Sequence, residues 1–312
     1  MTQSDTPFAG LAAHLSVSKS ALDKCIDVVQ HTCVIRDVPV TTRMHYLKFD
    51  GNGQPVVGAL AECLYNHVIE YCIASRNRPT PLSPQDAARL TKEARKLFRH
   101  PKATADDPDQ TGEAGEMLLY LLIEAVLGAP QVVAKMELKT NSAVEVHGSD
   151  GIHMAWRQAE SLVDVYFGES KLYQDVGAAM TNAIDSVEKF HLAEMYRHEF
   201  KMVTKYFKHA APEVQLAVAE LLRDGLPGPE VRLNHACLIG YDWVGYATLQ
   251  RLTASDLTAA FRQRYLKDAG RLHDLLQKRF DPFGRKHLRF EFFLMPFEAV
   301  QKFRDAFNSA LA

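Results

Sequence analysis

Glu169 and Lys171 stand two residues apart in "FGESK", at the end of the apolar run "SLVDVYF". In a strand, side chains i and i+2 share one face, so this carboxylate and this ammonium point the same way. A carboxylate that holds Mg2+ or Mn2+ beside an ammonium suits phosphodiester hydrolysis. The metal activates a water and neutralises the phosphate, and the lysine orients the water or stabilises charge developing in the transition state. A hard cation needs more oxygen ligands than one carboxylate supplies. Asp150 begins the preceding predicted strand, and a hairpin would bring it beside Glu169. The backbone carbonyl of Ser170 is a third potential ligand.

Glu-x-Lys alone is a weak signal, and it recurs at Glu137/Lys139 and Glu199/Lys201. The last pair lies in a helical pattern, where i and i+2 do not share a face. Glu137/Lys139 follows a predicted helix, not a strand led by an aspartate. Only Glu169/Lys171 has the strand–turn–strand setting with an acid at the right place. The competing reading is a strand end in solvent. Glu113 and Glu116 open the next helix upstream, where carboxylates are expected for dipole reasons. Glu116 directly precedes the apolar run and can lean toward the sheet edge.

Other polar residues have weaker patterns. His147 lies in a glycine-containing turn and can meet a phosphate, while His153 falls on the opposite strand face from Asp150. His191, Glu194 and His198 would share a helical face, as a second metal site or a solvated stripe. Lys201, Lys205 and Lys208 form a basic stripe on the same predicted helix, and Arg285, Lys286, His287 and Arg289 a second cluster. Both fit phosphate contact or plain surface charge.

The elements that must position these residues read as follows. A short helix is predicted near 18–30 and a strand at 44–49, running into the turn "DGNG". Helices follow at 55–74 and 83–100, the latter with Ser83 as N-cap and Pro84 in its first turn. The stretch "PKATADDPDQTG" (101–112) is the best linker. Then come a helix over 115–128, strands over 131–140, 149–157 and 161–171, a long helix over 175–210, a strand over 235–243, a helix over 253–280, a strand over 287–297 and a terminal helix. This order predicts an α/β or α+β domain with a mixed sheet flanked by helices. The division is a mostly helical region over 1–108 and a domain over 109–312.

Bulk composition excludes several classes. The 312 residues are 47% hydrophobic and 24% charged, with net charge −2, so no global field points to nucleic acid or membrane. Five scattered cysteines without a CxxC pair argue against a disulfide framework or structural zinc. The start "MTQSDTPFAG" lacks the pattern of a signal peptide, and "MLLYLLIEAVLG" is too short to span a membrane and carries Glu124. A cytoplasmic protein is expected. There is no GxxxxGK[ST], GxGxxG, HExxH or GxSxG, so any ATP-driven motor must be another protein.

Taken together, "GEMLLYLLIEAVLG", "VAKMELKTN", "HGSDGIH" and "VYFGESKLY" resemble the PD-(D/E)xK nuclease superfamily, and within it the HamA family of Hachiman anti-phage defence. The resemblance covers roughly 110–300 and rests mainly on Gly115 to Tyr173. It implies a restriction-endonuclease-like core and a Mg2+- or Mn2+-dependent DNA nuclease, restrained by a superfamily 2 helicase, HamB, and released when the helicase engages DNA. It makes Asp150 and Glu169 metal ligands, Lys171 the catalytic lysine and Glu116 the helix acid at the metal. The superfamily's "PD" is here "SD" (Ser149–Asp150). The alternatives are a catalytically inactive DNA-binding or regulatory subunit of a helicase complex, a nuclease acting on RNA, and a structural adaptor. Residues 1–108 and "RFEFFLMPF" are options for a helicase-binding surface, with a core strand the other reading of the latter.

Overall fold

Runs such as "HACLIG" and "FFLMPF" carry no polar alternation, the pattern of a strand covered on both faces. In the computed structural model, which describes residues 7–98, 112–138, 148–209, 211–222, 228–249, 252 and 254–312, both runs lie in the interior of one six-stranded sheet. Its strands are β1 (Ile26–Val29), β2 (Val40–Leu47), β3 (Gly151–Arg157), β4 (Leu162–Tyr173), β5 (Val231–Asp242) and β6 (Arg289–Phe297). Their order is β1-β2-β6-β5-β4-β3. The four inner strands pair in parallel, and β1 and β3 close the edges antiparallel.

Among the described residues the helices are α1 (Lys19–Leu22), α2 (Val57–Tyr65), α3 (Val68–Cys72), α4 (Pro84–Leu97), α5 (Glu113–Leu127), α6 (Lys135–Leu138), α7 (Val176–Leu192), α8 (Met195–Lys205), α9 (Pro212–Leu221), α10 (Ala254–Phe280) and α11 (Val300–Leu311). They cover both faces of a mixed sheet, the expected class. On one face α2, α5 and α11 pack against Leu238, Phe293 and Met295. On the other, α7 and α10 pack against Cys237, Ile239, Phe292 and Leu294. α8 and α9 bury a third cluster with Val163, Val165 and Phe167 of β4. α5 buries twelve of its fifteen residues, so it is a central helix and not a surface one. It stops at Gly128, whose φ of 63° is the left-handed cap that glycine favours. None of the described helices is long and apolar enough to cross a membrane.

Several predicted elements differ. The helix near 18–30 is only α1, followed by β1. The strand over 131–140 is absent from its described part: Gln131 makes a single bridge to His153 and residues 135–138 form α6. Val132, Val133, Met136 and Leu138 are all buried, and so is Lys135 among them, so burial here follows no period that would distinguish strand from helix. The long helix over 175–210 breaks between α7 and α8, where Glu194 takes φ 51°. The segment "RFEFFLMPF" is the buried strand β6. β2 pairs in parallel with β6, so residues on both sides of 108 build one sheet.

Candidate active site

The antiparallel pairing of β3 with β4 ends at Gly151 opposite Gly168. Asp150 stands one residue beyond it, and its N–H donates to the Gly168 carbonyl at 2.8 Å. β4 runs on to Tyr173 without β3 beside it. Glu169, Ser170 and Lys171 therefore sit where the sheet forks. Ser170 faces α5: a Cβ on Gly115 would lie 3.1 Å from its hydroxyl. By alternation Glu169 and Lys171 face α7, and Ser186 of α7 lies near enough to Glu169 to lower its pKa.

The three predicted polar residues come together here. Asp150 Oδ2 accepts from the Ser170 N–H at 2.6 Å and the Ser170 hydroxyl at 2.8 Å. Lys171 pairs with Glu169, their side chains only 20% and 14% exposed. Burial, then the neighbouring Asp150 charge, push the Glu169 carboxyl up to about 7, against the pull of Lys171 and Ser186. Burial lowers the Lys171 pKa, but Glu169 and Asp150 raise it further, so it ends above its ordinary value. The ammonium is therefore a fixed positive charge and not a base. Asp150 and Glu169 border a cavity of about 390 Å3.

Glu116 approaches from the other side. The Tyr71 hydroxyl donates to it at 3.3 Å, and it shares a narrow cleft with Asp150, Gly151 and Gly168. Asp150 thus lines both the cavity that Glu169 borders and the cleft that Glu116 borders. Among the described residues no group of three or more His, Cys, Asp and Glu side chains is arranged to hold a metal.

Behind Asp150 lies a network that the sequence did not disclose. Glu199 is fully buried and accepts from Lys135 Nζ at 2.5 Å, the Ser149 N–H at 2.8 Å and the Ser149 hydroxyl at 3.0 Å. Lys135 also donates to the Ser149 carbonyl at 2.6 Å. Gly148 completes the turn at φ 118°, and a Cβ there would collide with the Glu199 carboxylate. A buried ion pair thus grips the residue before Asp150. The available signal was a glutamate on the stripe Met195–Glu199–Met202, and a lysine inside the apolar run Val132–Leu138.

A family model described as HamA matches residues 23–311. The chain belongs to the HamA family. Membership makes it a component of Hachiman defence. The HamA match extends beyond the segment 110–300 and takes in β1, β2 and the helices that follow. No curated protein matches the chain.

In this HamA-family chain the basic residues scatter. Lys201 and Lys205 are exposed on α8, but Lys208 is buried and donates to Gln131 at 2.8 Å, which removes it from the expected stripe. Lys286 caps the end of α10 through the carbonyls of Phe280 and Asp281. Arg285 and His287 lie close enough to His191 to help burial hold its imidazole down at about 4. The expected face of His191, Glu194 and His198 does not form. His191 Nε2 lies 2.7 Å from His235 Nε2, Glu194 falls at the helix break and pairs with Arg197, and His198 lies on the separate helix α8. His153 is buried against the Ala129 carbonyl at 2.9 Å. His147 lies outside the described residues.

Proposed function

We propose that the chain is the metal-dependent DNA nuclease of a Hachiman system, held in check by a partner superfamily 2 helicase and freed when that helicase engages DNA. The observation that best supports this is the meeting of Asp150, Glu169 and Lys171 at the sheet fork, in a chain of the HamA family. The donor set fits Mg2+ or Mn2+. Burial first, and the Asp150 charge second, make Glu169 resist ionisation; a divalent cation would offset both, and oxygen ligands are what such cations prefer. Asp150 and Glu169 would hold it, with the Ser170 carbonyl, and Glu116 would reach it through the cleft shared with Asp150. The bound metal would supply an activated water and charge neutralisation on the phosphate.

The chain's own residues do the rest. Ser170 fixes Asp150 through two hydrogen bonds and so aims its carboxylate. Lys171, permanently charged, stabilises negative charge on the phosphate in the transition state. Lys171 orients Glu169 through their ion pair. Exposed Lys201 and Lys205, together with Arg285, Lys286 and His147, are the proposed backbone contacts. The test is protection of cells from phage by the complete system. Lys171→Ala should abolish protection while the partner helicase still co-purifies; intact protection would favour a regulatory or adaptor subunit. A side-by-side assay on DNA and RNA decides the substrate.

A further inference from the structure

The cavity of about 390 Å3 at the carboxylates continues into space that hydrolysis itself does not need. Away from Asp150 and Glu169 its lining includes Ser149 and Ser186 and an apolar side of Phe167, Val187, Phe190, Met195 and the ring of His235. Phe167, Val187 and His235 are almost wholly covered, so Phe190, at 9% exposure, and half-buried Met195 are the apolar surface a ligand would meet. Phe190 lies 4.9 Å from Phe167 and 5.9 Å from His235, centroid to centroid, so the aromatic rings form one cluster. Exposed Lys189 adds a cation on the same helix. The break after α7 shapes this space, since Ala193 and Met195 on either side of Glu194 both border it.

A phosphodiester and its metal are polar throughout and gain nothing from an aromatic wall. A nucleobase has apolar faces that stack on such side chains. In a duplex the bases are paired and stacked inward, and only an unpaired nucleotide can turn its base into a protein pocket at low cost. Resting on the nuclease reading, we propose that this cavity receives a nucleobase beside the scissile phosphate, so that the preferred substrate is single-stranded DNA or a frayed end, with Lys189 meeting an adjacent phosphate.

The test uses the full chain and two probes of equal length, an oligothymidylate and an abasic deoxyribose-phosphate oligomer. Binding is read by fluorescence anisotropy without divalent metal, and cleavage separately with Mn2+ on single-stranded and blunt duplex DNA. Oligothymidylate should bind roughly tenfold more tightly than the abasic oligomer, the scale of one stacked base. Met195→Ala should narrow that ratio, whereas Lys189→Ala should weaken both probes alike. Equal binding of the two probes, or faster cleavage of blunt duplex than of single strand, would overturn the proposal. Base-dependent binding without metal-dependent cleavage would sink the nuclease reading alone. Cleavage indifferent to strandedness would keep the nuclease and sink the base pocket.

Discussion

Replacing Glu199 by leucine would leave the Lys135 ammonium buried with no counter-charge. Both side chains are almost completely enclosed, at 7% and 0% exposure, so solvent cannot compensate. Breaking a buried pair from one side costs roughly 3–5 kcal/mol, mostly the penalty of the stranded charge. Ser149 loses the acceptor of its N–H and one partner of its hydroxyl, which keeps only the Gly151 carbonyl and Lys135. The total should therefore sit in the upper part of that range. The double variant Lys135→Met/Glu199→Leu removes the stranded charge and should be more stable than Glu199→Leu alone, a coupling of roughly 2 kcal/mol or more. The assay is urea unfolding of wild type, both single variants and the double. A second readout concerns the site: because the pair holds the residue before Asp150, even the refolded double variant should bind Mn2+ about 10- to 100-fold more weakly by calorimetry, as for other supports of metal ligands. If Glu199→Leu cost under about 1 kcal/mol and left Mn2+ affinity unchanged, the reasoning from burial to a stranded charge and a loosened Asp150 would be refuted.

Three further outcomes are expected. Lys171→Met should lower kcat by about 10²- to 10³-fold with Mn2+ affinity nearly unchanged, because a charge acting on the transition state is lost and not a ligand; equal losses in both would contradict that role. Ser170→Ala removes one of two hydrogen bonds to Asp150 Oδ2 and should reduce Mn2+ affinity by about tenfold or less, since a single bond is worth about 1 kcal/mol. Burial and Asp150 place Glu169 at about 7 against an ordinary 4.5, so the native metal-free chain keeps a proton that the unfolded chain releases, and stability falls as pH rises across that window. Glu169→Gln should therefore raise the metal-free Tm relative to wild type at pH 8 and change it little at pH 5; an equal shift at both would contradict the assignment.

The legible parts of this molecule were those with a strong local period or cap. α4 announced itself through Ser83, whose hydroxyl accepts from the Asp86 N–H at 3.1 Å, and α5 through its apolar run and Gly128. The β3–β4 hairpin was readable because the short apolar segments "GIHMAWR" and "SLVDVYF" were bounded by turn residues, and that pairing put Asp150 beside Glu169. Hidden parts depended on long-range contacts. The edge strand β1 is four residues long and gains its form from β2. α6 is largely buried, so no solvent-facing period marks it, while the break after α7 falls on exposed Leu192, Ala193 and Glu194 with no glycine or proline to signal it. Lys135 and Glu199 could not be matched from the sequence because their pairing spans 64 residues.

The central claim is that the sheet fork hydrolyses DNA through a metal held by Asp150 and Glu169. Its most direct test is degradation of plasmid by the purified chain with its partner helicase, ATP and Mg2+ or Mn2+, comparing wild type with Glu169→Ala/Lys171→Ala. The account predicts that wild type degrades the plasmid, that a chelator stops it, and that the folded variant complex leaves the DNA intact. Degradation by the variant at the wild-type rate, or none by wild type under any of these conditions, would contradict it.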